Sequence, residues 1–239
     1  MKQEKIKIGQ LDVQVVPAKG AAKGAAILCH GFGAPGDDLV SLAQAIREKN
    51  SAFEDISFYF PAAPIALEIY PEFESRAWWM IDVEKIQQLA DSGKFRELKN
   101  SHPEELDGCR EMIEEVIEHV AQTLELEHAK IVVGGFSQGA MLTTEVALNH
   151  KVPLGGLVIW SGTLICESKW RAIAGDRKFP VYQSHGTLDP VLPFDNATAL
   201  CTLLADAGLD VEFTEFEGPH TIPTNAIAGT AKLLKKMMV

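Results

Sequence analysis

Ser137 has the setting that most clearly calls for chemistry. It stands in Ile131-Val132-Val133-Gly134-Gly135-Phe136-Ser137-Gln138-Gly139-Ala140-Met141-Leu142, with a glycine two positions away on each side. A β-branched run stops at the serine and an apolar helical pattern follows it, which is the setting of a sharp strand-to-helix turn. Such a turn forces the serine backbone into a sparsely populated conformation, and the flanking glycines let the chain approach itself where a side chain would clash. The hydroxyl is then presented at the carboxyl end of the strand. Gln138 opens the helix, so its free backbone N–H and the positive helix end face any oxyanion formed at Ser137.

A serine hydroxyl is a poor nucleophile at neutral pH unless a base takes its proton and an acid fixes the tautomer of that base. On a strand-to-helix turn of this kind the chain order is nucleophile, acid, histidine. Of the seven histidines, only His150, His185 and His220 follow the serine. His150 ends the helix that begins after Ser137, about 18 Å away at about 1.5 Å per residue, and suits a capping role better. His220 lies in Glu217-Gly218-Pro219-His220-Thr221-Ile222-Pro223, a loop shaped by glycine and proline after the last strand, and is the expected base. His185, in Ser184-His185-Gly186-Thr187-Leu188-Asp189-Pro190, competes for that role. It would have to rely on Asp176 or another upstream acid, and reads better as a structural residue beside the acid loop. Asp189 is the expected carboxylate, since it follows a strand by a short glycine-containing turn and Pro190 stiffens the chain behind it. Asp195 reads as a helix cap, and Glu217 as the end of the final strand.

A second oxyanion donor is expected from the loop after the strand Ala25 to His30, where His30-Gly31-Phe32-Gly33 occurs. Phe32 N–H is the specific expectation, with Gln138 N–H as its partner, and His30 is a hydrogen-bonded scaffold residue. The same loop, Gly31-Phe32-Gly33-Ala34-Pro35-Gly36, also fits the dinucleotide pattern Gly-x-Gly-x-x-Gly. The acid that pattern requires at the end of the next strand is missing, because Ile56 to Phe60 runs into Pro61-Ala62-Ala63-Pro64 while Glu54 and Asp55 sit at its other end. A dinucleotide-dependent oxidoreductase therefore stays a minor alternative. A non-catalytic binding protein on a hydrolase scaffold is the other, opposed by the intact serine, acid and histidine set.

These loops need a scaffold, and the chain supplies one. Short apolar or β-branched runs alternate with amphipathic patterns along 239 residues, the sign of a mostly parallel α/β sheet with helices on both faces. One domain over 1–239 is expected. Lys5 to Ile8 and Leu11 to Val16 read as a hairpin, and Asp37 to Lys49 as a helix with the two aspartates at its positive end. Further helices are expected from Pro103 to Leu124, Asp195 to Ala207 and Thr224 to Met238, and strands at Ile56 to Phe60, Gly156 to Trp160, Phe179 to Ser184 and Val211 to Phe216. Gly208 fits a left-handed helix end. The stretch 61–101, aromatic and broken by prolines, reads as an excursion over the sheet edge that could act as a lid or line a pocket.

The composition excludes some functions. A net charge of −11 without a basic cluster before the C-terminal lysines argues against a nucleic-acid partner. No 18 apolar residues follow one another, so no stable membrane insertion is expected, and a cytoplasmic protein with free thiols is, since Cys29, Cys109, Cys166 and Cys201 are far apart. Oligomeric state cannot be read at this level.

Four landmarks together carry a resemblance: His30-Gly31-Phe32-Gly33, Gly135-Phe136-Ser137-Gln138-Gly139-Ala140, His185-Gly186 with Asp189-Pro190, and Gly218-Pro219-His220. The chain resembles the carboxylesterase, lysophospholipase and acyl-protein thioesterase family of α/β-hydrolases, and Ser75-Arg76-Ala77-Trp78-Trp79 is similar to that family's tryptophan-bearing segment. It departs from the family in placing Ala34-Pro35-Gly36 before Asp37, and in the length of the 61–101 excursion. The resemblance implies a serine hydrolase acting on a small-molecule carboxylic ester or thioester with an apolar acyl chain, without metal or organic cofactor. Ile65, Leu67, Trp78, Trp79, Leu164 and Leu192 lie in segments that leave the carboxyl side of the sheet and are the expected substrate lining, Trp79 foremost.

Overall fold

A computed structural model of the chain describes residues 3–68, 74–81 and 95–238. Eight strands form one sheet: β1 (Glu4–Ile8), β2 (Leu11–Val16), β3 (Gly24–Cys29), β4 (Ile56–Pro61), β7 (Ile131–Phe136), β8 (Gly156–Trp160), β9 (Pro180–Gly186) and β10 (Asp210–Phe216). Their order is β1-β2-β4-β3-β7-β8-β9-β10. The β1–β2 and β2–β4 pairs are antiparallel, and every later neighbour is parallel. The inner strands β3, β7 and β8 are apolar almost throughout because both of their faces are covered.

Side chains alternate between two cores. Ala25, Ile27 and Cys29 face the side packed by α2 (Leu106–Leu124), α3 (Gln138–Asn149), α4 (Glu167–Ile173) and α5 (Phe194–Asp206). Ala26 and Leu28 face the side packed by α1 (Val40–Arg47) and α6 (Thr224–Met238). The α2 stripe of Leu106, Cys109, Ile113, Val116, Ile117 and Val120 is buried as its spacing predicts. Register then brings the functional loops level, since Cys29 pairs with Gly135, Phe136 with Trp160, Trp160 with Ser184, and Phe216 with Gly186.

Several expected boundaries move. α1 starts at Val40, not Asp37, because Gly36 at φ +96° and the Val40 N–H to Asp37 carbonyl bond spend the aspartates on a preceding turn. Helix α2 likewise begins at Leu106 after a turn from Pro103. Asp195 is not the cap of α5: Pro193 occupies that place and Asp195 lies in the first turn. β9 runs on through His185 to Gly186, which the glycine had suggested as the turn. Gly208, at φ +84°, follows α5 as its left-handed end requires. Within the 61–101 excursion, β5 (Ile65–Leu67) and β6 (Ser75–Ala77) form a small antiparallel hairpin and Phe95–Asn100 a 3-10 turn. Residues 69–73 and 82–94, on which the expectation of a lid largely falls, lie outside the described residues.

Candidate active site

Ser137 sits between β7 and α3 with φ 54° and ψ −116°, a region that a residue with a side chain enters only when its surroundings enforce it. The enforcement is visible. A Cβ on Gly135 or Gly139 would collide with the Cys29 carbonyl oxygen, so only glycine lets β3 and the start of α3 come this close. The Ser137 N–H is held by the Trp160 carbonyl at 2.9 Å, and its own carbonyl accepts from the N–H groups of Ala140 and Met141.

Asp189 and His220 meet across two laced loops. His220 Nδ1 donates to Asp189 Oδ2 at 2.6 Å, and the other oxygen, Oδ1, accepts the N–H groups of Val191 and Leu192 at 2.8 and 2.9 Å. His185 Nε2 also approaches Oδ2, at 3.2 Å, while donating to the Leu192 carbonyl at 2.8 Å. Burial of the Asp189 side chain would raise its pKa, but the hydrogen bonds from His185, His220 and Leu192 more than offset this and hold the carboxyl below the usual carboxylate range. A carboxylate that can only accept fixes the proton of His220 on Nδ1, which leaves Nε2 as an acceptor. The His220 ring packs on Phe136, the residue before Ser137, with centroids 4.8 Å apart. Its loop is further pinned by Ser161 Oγ donating to the Thr221 carbonyl and by Leu188 N–H donating to the Gly218 carbonyl. Gly186 has no room for a Cβ against the Gly218 carbonyl.

The loop after β3 is equally tied. His30 Nδ1 donates to the Gly31 carbonyl and Nε2 accepts the Ala63 N–H, so both ring nitrogens are used as scaffold. Burial pushes this imidazole down to about 4, which keeps it neutral. Gly33 N–H donates to the Arg76 carbonyl and Arg76 N–H to the Ala34 carbonyl, fastening the Phe32 turn to β6. Because the Gly33 and Ala34 N–H groups are engaged within the protein, this glycine loop offers no cradle for a pyrophosphate.

A sequence model of the phospholipase/carboxylesterase family matches residues 11–238. The chain belongs to this family. It is 31% identical over 191 residues to acyl-protein thioesterase 1 of Eremothecium gossypii, covering 79% of this chain and 75% of that one. It is 29% identical over 238 residues to acyl-protein thioesterase 1 of Candida albicans, covering 93% and 96%. Among solved structures, the esterase PE8 matches with a TM-score of 0.79 and 28% identity over 96% of this chain and 100% of that one. The carboxylesterase of Mesorhizobium loti shares the fold, with a TM-score of 0.74 at 15% identity and 98% coverage of both chains. The protein is thus a carboxylic ester hydrolase with the α/β-hydrolase fold. No helix among the described residues is long and apolar enough to cross a membrane.

Beside Ser137 stands one residue whose side chain the sequence left unread. Gln138 is fully buried, and its Oε1 accepts the Trp78 N–H at 3.0 Å while its Nε2 donates to the Trp79 carbonyl at 2.8 Å. The residue beside Ser137 therefore clamps the tryptophan segment. Trp78 also donates from Nε1 to the His30 carbonyl, and its own carbonyl accepts from Cys109 Sγ. Of the expected substrate lining, Trp78, Trp79, Leu164 and Leu192 are buried in the core on the α2 to α5 side, Leu67 is buried on β5, and Ile65 is half-buried. Met80, Leu188 and Val191, which the sequence did not single out, are exposed apolar residues beside Trp79 and Asp189.

Proposed function

We propose that Ser137 is the nucleophile of this hydrolase, His220 its general base, and Asp189 the group that orients the imidazole. The 2.6 Å bond from His220 Nδ1 to Asp189 Oδ2 carries the reading, because it leaves Nε2 as the acceptor of a ring packed on Phe136, the residue before Ser137. His220 takes the Ser137 proton as the hydroxyl attacks the carbonyl carbon. The N–H groups of Phe32 and Gln138 hold the developing oxyanion, each such donor contributing about 3 kcal/mol to transition-state stabilisation. The proton passes from His220 to the leaving alcohol or thiol, and water repeats the cycle to release the acid. An apolar acyl group suits the exposed Met80, Leu188 and Val191, neighbours in sequence of Trp79 and Asp189, and the thioesterase names of the relatives favour acyl thioesters alongside esters.

Ser137→Ala tests this directly. The variant is expected to lose fluorophosphonate labelling and hydrolysis of a short aryl ester while keeping its fold by circular dichroism. Labelling that survives in the folded variant rejects Ser137 as nucleophile.

A further inference from the structure

The amino end of β7, opposite Ser137, carries a second group of chemistry-bearing side chains. Glu118 lies in the second half of α2, His128 in the 3-10 turn His128–Lys130 that leads into β7, and His150 at the end of α3. One carboxylate oxygen of Glu118 and one ring nitrogen of each histidine lie within 4.8 Å of one another. His128 Nε2 meets Glu118 Oε1 at 2.9 Å, and the two imidazoles face each other with centroids 5.2 Å apart. His150 is 8% exposed, and its Nε2 is buried with no hydrogen-bond partner among the described residues. An unpaired buried nitrogen is costly and calls for a ligand. Burial, then the charge of His128, lowers the His150 pKa; Arg177 acts in the same direction, while Glu114 and Glu118 oppose it.

We propose that Glu118, His128 and His150 form a binding site for a divalent ion of the zinc type, with water completing its coordination. Two imidazoles and one carboxylate match zinc-class ions, whereas magnesium and calcium prefer oxygen ligands throughout. Tetrahedral zinc with bonds of about 2.0–2.1 Å needs its ligand atoms about 3.3 Å apart. The three ligand atoms, within 4.8 Å of one another, must adjust to this spacing, and the exposed position of Glu118 gives the ion a way in. The ion ties α2, the end of α3 and the entry to β7 together. His150 and Ser137 flank opposite ends of α3, about 20 Å apart by helix rise, so its effect falls on stability and not on the ester chemistry.

The test is calorimetric titration of zinc chloride into the full chain after treatment with EDTA, at pH 7.5. One equivalent is expected to bind, and zinc at about 100 times its Kd to raise Tm by about 5 °C, with aryl-ester turnover unchanged. Partners outside the ligand set already contribute about 10–100-fold to affinity, so Glu118→Gln and His128→Gln should each weaken binding by at least about 100-fold. His119→Gln, one position along α2, should not. Cobalt should give the intense visible bands of tetrahedral coordination, and magnesium should not compete. His150→Gln should behave like the other two; if it fails to fold, the Glu118 and His128 variants decide. Absence of binding, binding that survives in Glu118→Gln and His128→Gln, or binding that inhibits ester turnover would overturn the proposal.

Discussion

Replacing Gln138 by methionine separates two roles that one residue combines. Methionine is close to glutamine in length and keeps the backbone N–H assigned to the oxyanion, but it removes both side-chain hydrogen bonds to Trp78 N–H and the Trp79 carbonyl. Each of those backbone groups is then left unpaired in a site that is fully closed to water. An orphaned buried donor or acceptor costs about 1–3 kcal/mol, so the pair should cost about 2–6 kcal/mol. The lower half of that range leaves a folded protein. Urea unfolding followed by fluorescence of the four tryptophans measures the loss. Labelling of Ser137 by a fluorophosphonate should persist, since the backbone donor remains. Gln138→Glu should be worse than methionine, because it keeps the acceptor for Trp78 but sets a buried carboxylate oxygen against the Trp79 carbonyl. If Gln138→Met unfolds within about 0.5 kcal/mol of the parent, the clamp contributes nothing and the reasoning fails.

Two further outcomes follow from the same geometry. His30 is held at about 4 against an ordinary value of 6.5, so the folded state disfavours its protonation. The stability this confers is complete above pH 6.5 and is lost as pH falls toward 4, about 3 kcal/mol in all; the Asp189 carboxylate, also depressed, adds its own loss at lower pH. Urea midpoints at a series of pH values, in the parent and in His30→Gln, check this, and a slope unchanged by the substitution rejects it. Asp189→Asn should lower kcat by about 10⁴-fold with little change in KM, since an amide can donate to His220 and favour the wrong tautomer; steady-state kinetics with a short aryl ester would expose a smaller effect.

Much of the site is legible in the sequence because its parts are turns, and turns are spelled by glycine and proline. Gly31, Gly33, Gly135, Gly139, Gly186, Gly218 and Pro219 mark loops whose positions are set by how many strands precede them, so the sequence alone pairs Asp189 with His220. Side-chain partnerships across the fold were not legible. Gln138 looks from sequence like a helix opener, and nothing in its neighbours announces that Trp78 and Trp79 will lie over it. Ser161, which braces the His220 loop at Thr221, stands in an unremarkable Trp-Ser-Gly triplet. Helix α4 went unforeseen because it has only seven residues, begins after Cys166 in a left-handed conformation, and buries little beyond Trp170. That tryptophan is paid for elsewhere, by Glu145 of α3, whose buried carboxylate accepts from Trp170 Nε1 and from Lys169. The first residues of α1 and α2 were misjudged because turn hydrogen bonds competed with helical ones for the same backbone groups.

The two glycines around Ser137 have a consequence for how the enzyme comes into being. Both are shaped by the carbonyl of Cys29, a residue more than 100 positions earlier in the chain. A five-letter motif that reads as a local turn is therefore the imprint of a distant strand. Nothing within residues 135–139 alone holds the serine in its costly conformation; the docking of β3 against β7 and the Trp160 carbonyl at the end of β8 do so. The strained turn at Ser137 thus depends on a pairing of high sequence separation, of the kind whose loop-closure entropy must be met before its contacts form.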